Sequence, residues 1–145
     1  MTAQLSDALH ARISDLSEAG NELADDGDLA GAERTWLGAV PLLPEPAVQW
    51  EAYTWLWASI GDVRYDQDDF AGAADAFFNA LNGAGGIENP FVHFMLGKAL
   101  LRTDRRPRAI DELLRAYLLD DELFEIDDEG EELLQAMRDF GVRDI

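Results

Sequence analysis

Side chains that commonly carry catalysis are scarce in this sequence. It has two histidines, His10 and His93, and no cysteine, which excludes thiol catalysis, disulfides and zinc–thiolate sites. Neither histidine belongs to a pattern with a serine or cysteine that would indicate a nucleophile and its base. We therefore expect a protein that is not an enzyme.

The sequence also gives little support for a metal site or a phosphate-binding site. Asp66, Asp68 and Asp69 are spaced in part like the acidic ligands of a calcium-binding loop. The glycine and glutamate that an EF-hand has at fixed positions after them are missing. A solvated turn between two helices explains the same three residues. The glycine-rich segment 83–86 is not followed by the lysine of a phosphate-binding loop. We expect no metal and no cofactor.

The net charge restricts the classes of partner. The 145 residues include 30 acidic and 11 basic side chains, for a formal charge of -19, and the length suits a single domain over residues 1–145. Nucleic-acid backbones and anionic membranes both repel such a surface. The sequence starts without the basic and apolar segments of a signal peptide, and no apolar run approaches a membrane span, so we expect a cytoplasmic protein.

Three segments share one spacing of small and large residues. In each, a glycine is followed by an alanine after 12 residues, a large apolar residue after four more, and an alanine after a further three. The sets are Gly20, Ala32, Trp36 and Ala39; Gly61, Ala73, Phe77 and Ala80; and Gly97, Ala109, Leu113 and Ala116. The small residues would let two antiparallel helices approach closely, and the large ones would fill the gap between neighbouring units.

This pattern resembles the tetratricopeptide repeat, a helix-turn-helix unit of about 34 residues. The second unit matches it with Trp57, Ile60-Gly61, Ala73 and Phe77, and departs from it at Arg64, where an aromatic residue is usual. In the third unit His93 takes the place of the core tryptophan, so we expect a packed, structural histidine. The resemblance implies an all-α solenoid of three repeats with a C-terminal capping helix. The approximate bounds are 13–46, 54–87 and 90–123 for the repeats and 128–141 for the cap.

Turn residues fit these helices. The aspartate-rich segments 25–28 and 66–69 are typical of the turn inside a helical hairpin. Asn89 and Pro90 are typical of an N-cap and a first helical residue, and Pro107 of the start of another helix.

The resemblance also implies that partners bind on the concave surface, which the first helix of each unit lines. The residues placed there are Ser14, Ser17, Asn21 and Ala24; Trp55, Ala58, Asp62 and Tyr65, with Asp66 beside them; and Phe91, Phe94, Lys98 and Leu101. An acidic and aromatic groove suits lysine or arginine side chains. The alternative is that these rings pack under the first helix or against the C-terminal cap. We assign Trp50, Tyr53 and Trp57 to the core between units.

A second candidate surface is the acidic strip, residues 120–132, in which nine of thirteen residues are acidic. Its predicted partner-binding residues are Asp120, Asp121, Glu122, Glu125, Asp127 and Asp128. The strip is either a docking surface for a basic protein or a solvated turn anchored by Leu123, Phe124 and Ile126.

A narrower resemblance covers residues 89–128. Asn89-Pro90-Phe91-x-His93, Gly97, Arg115-Ala116-Tyr117, Glu122-x-Phe124 and Asp127-Asp128 are similar to a group of bacterial repeat proteins encoded beside polymorphic toxins of the rearrangement-hotspot (Rhs) type. This resemblance implies an immunity protein that binds a cognate, basic toxin domain and neutralises it. One alternative is a general adaptor that binds a peptide or helix in the repeat groove. Another is a structural homo-oligomer whose groove is filled by a second copy.

Overall fold

The computed structural model describes residues 4–145, which form three helical hairpins followed by a C-terminal helix. The hairpins are α1 (Asp7–Asp25) with α2 (Leu29–Ala39), α3 (Glu51–Asp66) with α4 (Phe70–Leu81), and α5 (Pro90–Arg102) with α6 (Arg106–Leu119). A single turn, α7 (Leu123–Ile126), leads into α8 (Gly130–Phe140), which packs on α6. Because α2 packs on α3 and α4 on α5, the hairpins stack into the predicted all-α solenoid. No helix in residues 4–145 is both long and apolar enough to cross a membrane.

Side-chain caps mark the starts of helices α1, α2, α4 and α5. Asp28 and Asp69 hold the same position in the first two hairpins, and the Oδ1 atom of each accepts a hydrogen bond from a backbone N–H three residues later, at 2.9 and 3.0 Å. Asn89 caps α5 in the same way, with Pro90 as the first helical residue. Pro107 lies in the first turn of α6. The predicted turns and helix starts are thus confirmed, because they depend on neighbouring residues.

The repeated glycines mark where the two helices of each hairpin approach most closely. A Cβ atom at Gly61 would lie 2.8 Å from the Phe77 ring, and one at Gly97 would lie 2.6 Å from Leu113 Cγ. Gly20 faces Trp36 in the same way, and the Trp36 indole donates a hydrogen bond of 3.1 Å to the Ser17 carbonyl. Each large residue therefore packs on the glycine of its own hairpin. The sequence spacing instead predicts these large residues in the gap between neighbouring units.

Two clusters of buried residues form the core. The first joins α1, α2 and α3 around Trp36 and Ile60, and the second joins α3 to α8 around Phe77 and Leu96. Trp57 packs against both clusters, as expected for a residue between units. Trp50 and Tyr53 are partly buried against the first cluster only.

His93 is a buried, structural residue, as predicted. Its Nδ1 lies 2.5 Å from Glu112 Oε2, and its Nε2 lies 2.7 Å from the Ile87 carbonyl oxygen. The second Glu112 oxygen accepts a hydrogen bond of 2.9 Å from Arg108 Nε. The imidazole thereby connects α5 to α6 and to the segment that precedes α5.

Candidate partner-binding cleft

An elongated depression, the acidic cleft, lies between the first helices of the hairpins and the segment that joins α7 to α8. One half, about 470 Å³ in volume, lies between α1 and α3 and is lined by Asn21, Asp25, Asp62 and Asp66. The other half, about 420 Å³, lies between α3, α5 and residues 127–129. Asp62 and Asp66 line both halves, which therefore adjoin at these two carboxylates.

The repeat geometry explains why aspartates face this cleft. Asp25 and Asp66 each follow the close-packed glycine of their hairpin by five residues. At 3.6 residues per turn, that offset places a side chain about 140° around the helix from the glycine. Because the glycine faces the second helix of its hairpin, the aspartate points away from that helix and toward the cleft.

Asp62 is the electrostatic centre of the cleft. The Asp62 side chain is exposed to water, but the protein around it in the cleft removes part of its hydration, and this desolvation raises its pKa. Repulsion from Asp66 and, more weakly, from Asp127 raises the pKa further, against the attraction of Lys98. Among residues 4–145, no cation forms an ion pair with the cleft carboxylates Asp25, Asp62, Asp66 and Asp128. The cleft thus concentrates negative charge that the attraction of Lys98 only partly offsets.

Lys98, predicted as a groove residue, is instead buried in a charged network at one end of the cleft. Its Nζ lies 2.8 Å from Glu129 Oε2 and 3.0 Å from Asp127 Oδ2, and 4.8 Å above the Tyr65 ring. Burial lowers the pKa of Lys98, but hydrogen bonds to Glu129 and Asp127 outweigh it and raise the pKa above its usual value. The positive charge of the ammonium group is therefore already balanced by carboxylates of the same protein.

Glu129 completes this network. It accepts a hydrogen bond of 2.7 Å from the Tyr65 hydroxyl and forms an ion pair with Arg102. Burial alone would raise the pKa of Glu129, but hydrogen bonds from Lys98, Tyr65 and Arg102 hold it at about 2. These hydrogen bonds and ion pairs hold the α7–α8 segment against α3 and α5. Lys98, Tyr65 and Asp127 therefore serve mainly to stabilise the fold.

Phe94 does not line an open groove. Its side chain is 2% exposed, and its ring meets Phe124 edge-on with the centroids 4.9 Å apart. The alternative in which such rings pack against the C-terminal segment is therefore correct for Phe94. Phe91 reaches the surface at the acidic cleft, whereas Trp55 lies farther toward the start of α3, beside Ser14 and Ser17.

The structure divides the acidic strip into two parts. Asp127 and Asp128 line the acidic cleft. Asp121, Glu122 and Glu125 are exposed outside it, and Asp120 Oδ1 accepts a hydrogen bond of 3.2 Å from the Glu122 N–H. Phe124 is buried and anchors the strip, as in the solvated-turn interpretation, but Ile126 remains exposed.

Three residues of the site, Asp25, Arg102 and Glu129, were not predicted from the sequence. Asp25 and Arg102 follow Gly20 and Gly97 by five residues, the same offset that relates Asp66 to its own glycine. That shared offset was a signal in the sequence that could have identified both. Glu129 had no such signal, because its partners Tyr65, Lys98 and Arg102 meet it only through tertiary packing.

Comparisons with known proteins bear on the fold. The sequence matches no protein-family model and none of the curated proteins compared with it. Among solved structures, the chain is similar to the tetratricopeptide repeat domain of Arabidopsis OM64, with a TM-score of 0.70 and 13% sequence identity. The similarity covers 88% of this chain and 95% of that domain. The chain thus has the fold of a tetratricopeptide repeat domain.

Proposed function

We propose that this protein is a non-catalytic, protein-binding module whose acidic cleft holds basic side chains of a partner. The observation that carries the proposal is the group of four carboxylates, Asp25, Asp62, Asp66 and Asp128, which line one depression and form no ion pair within residues 4–145. Repulsion between Asp62 and Asp66 raises the free energy of the unbound state. A lysine or arginine placed beside Asp62 would relieve that repulsion and replace the water lost from the carboxylate.

The overall charge supports the same partner chemistry. A formal charge of -19 attracts a basic protein over a distance set by the ionic strength, which accelerates association at low salt. It also opposes the structural homo-oligomer, because a second copy would bring equal negative charge to the acidic cleft. A basic partner is thus favoured over self-association.

We propose further that the basic partner is a bacterial toxin domain, which this protein neutralises by covering its surface. Support comes from the charge, since toxin domains that attack nucleic acids carry basic surfaces, and from the resemblance over residues 89–128. Asn89, Pro90 and His93, within that resemblance, serve the packing of α5. The resemblance therefore supports a shared fold, and the toxin assignment depends chiefly on charge.

The test compares two double variants that remove the same number of charges. Asp62→Asn with Asp66→Asn changes the cleft, and Asp121→Asn with Glu125→Gln changes exposed residues outside it. The genes beside this one are first searched for a basic toxin domain, and finding none would count against the toxin assignment. Calorimetric titration with such a domain should show at least a tenfold loss of affinity for the cleft variant. The control variant should stay within about twofold.

Equal losses in the two variants would contradict the acidic cleft as the binding surface. A short lysine- and arginine-rich peptide serves as the second probe. Tight binding of that peptide, without binding of the folded toxin domain, would identify a general adaptor instead.

A further inference from the structure

A second cavity, the N-terminal cavity, lies at the end of α3 away from Asp66. Its volume is about 760 Å³, it is open to solvent, and it is bordered by the start of α1, the turn before α3 and Ala84 in the segment between α4 and α5. Trp50, Trp55, His10, Asp7 and Glu51 are among its lining residues. No residue of the 120–132 strip and none of the cleft aspartates lines it. A further depression, beside Ser14 and Ser17, lies between this cavity and the acidic cleft and shares Trp55 with the cavity.

Two indole rings give this cavity an aromatic surface. Trp55 is 62% exposed, and within residues 4–145 its ring makes no stacking contact with another aromatic ring. Trp50 is held in place by a hydrogen bond of 2.8 Å from its Nε1 to the Pro44 carbonyl oxygen. The cavity therefore combines one accessible indole with one fixed indole.

The charge of the cavity is negative. Asp7 and Glu51, the first residues of α1 and α3, supply two carboxylates. Among residues 4–145, no lysine or arginine lines the cavity. Elsewhere the chain places its own arginines over aromatic rings, with Arg108 5.3 Å from the Phe78 centroid, but within residues 4–145 no cation lies over Trp50 or Trp55.

We propose that the N-terminal cavity binds an arginine side chain of a protein partner. A guanidinium group stacks on an indole face and can donate to two carboxylates at once, which matches Trp55 with Asp7 and Glu51. A lysine ammonium is more strongly hydrated and cannot stack, and the carboxylates disfavour anionic ligands. The inference takes from the proposed function only the idea of a basic protein partner, and it concerns a different surface.

The test follows the indole N–H signals of the full chain by NMR during titration with the tripeptide acetyl-Gly-Arg-Gly-amide. We expect the Trp55 and Trp50 signals to shift, with a dissociation constant on the order of 1 mM for a single side chain. The signal of Trp57, whose indole nitrogen is buried and which lines neither this cavity nor the acidic cleft, should not move. The lysine tripeptide should bind several-fold more weakly, and the glutamine tripeptide should cause no shift.

Variants separate the cavity from the rest of the chain. Trp55→Ala and Glu51→Gln should each weaken arginine binding at least threefold, as read from the Trp50 signal. Phe140→Ala, which removes another exposed ring, should leave the titration unchanged. Unchanged melting temperatures would show that each variant is folded, because Trp55 and Phe140 both lie at the surface.

The outcomes also distinguish this inference from the proposed function. A shift confined to Trp36, the tryptophan that lines the acidic cleft, or equal shifts with the glutamine tripeptide, would overturn the arginine site and leave the proposed function standing. Indole shifts that persist in the Asp62→Asn, Asp66→Asn variant would support the arginine site. If that variant also kept full affinity for the toxin domain, the proposed function would fail while the arginine site survived.

Discussion

Replacing Glu129 by glutamine should destabilise the fold in a pH-dependent manner. The Glu129 carboxylate binds Lys98, Tyr65 and Arg102, and its pKa falls from 4.5 to about 2 in the folded protein. At about 1.4 kcal/mol per pH unit, this difference corresponds to roughly 3 kcal/mol of stability at pH 7. Because the side chain is 25% exposed, solvent screening reduces the expected effect to about 2 kcal/mol.

The sign of the pH dependence follows from the direction of the pKa change. A carboxylate with a lowered folded-state pKa stabilises the fold fully above its unfolded value of 4.5, and the stabilisation is lost as the pH falls toward 2. Urea unfolding at pH 7 should therefore give a free energy about 2 kcal/mol lower for Glu129→Gln than for the wild type. The difference should shrink steadily between pH 4.5 and pH 2.5.

Glu125→Gln is the matched control, because Glu125 lies in the same strip, is exposed, and makes no ion pair among the described residues. Its unfolding free energy should change by less than about 0.5 kcal/mol at either pH. Equal stability of Glu129→Gln and the wild type at pH 7, or a loss that is the same at pH 7 and pH 2.5, would refute the assigned role of the network.

Gly61→Leu should lower the melting temperature followed by circular dichroism and cost about 1–3 kcal/mol or more, because the added side chain would overlap the Phe77 ring; an unchanged melting temperature would contradict the repeat alignment. Phe94→Ala should cost about 3–5 kcal/mol of unfolding free energy, and Trp55→Ala less than about 1 kcal/mol, because only Phe94 is buried; similar costs in urea unfolding would contradict this assignment. Association with the basic toxin domain, measured by stopped flow, should slow as salt rises, since the Debye length falls from about 10 Å at 0.1 M to about 3 Å at 1 M; a salt-independent rate would argue against steering.

Features encoded by neighbouring residues were predictable from the sequence. The three glycines and their large partners identified the hairpins, since close helix packing requires a small residue opposite a large one. The aspartate-rich segments 25–28 and 66–69 marked turns and Asn89 marked a helix start, because turns and caps depend on residues close in the sequence. The repeat resemblance and helical spacing together placed Asp62 on the concave face with Asp66 beside it, and both line the acidic cleft.

Features that depend on how the C-terminal segment docks were not predictable. Helical spacing put Phe94 and Lys98 on the concave face. In the structure, Phe124 covers the Phe94 ring. Lys98 forms ion pairs with Asp127 and Glu129. These partners lie about 30 residues away, and no local pattern specifies the path of residues 120–129.

The most direct test of the acidic cleft is the pKa of the Asp62 carboxyl, measured by carbon-13 NMR in the free protein and in complex with the basic toxin domain. In the free protein the pKa should lie above the usual 3.8, because burial and repulsion from Asp66 disfavour the ionised form. Binding should lower this pKa, since a lysine or arginine beside the carboxylate favours ionisation. An Asp62 pKa that stays the same or rises in the complex would contradict the central claim.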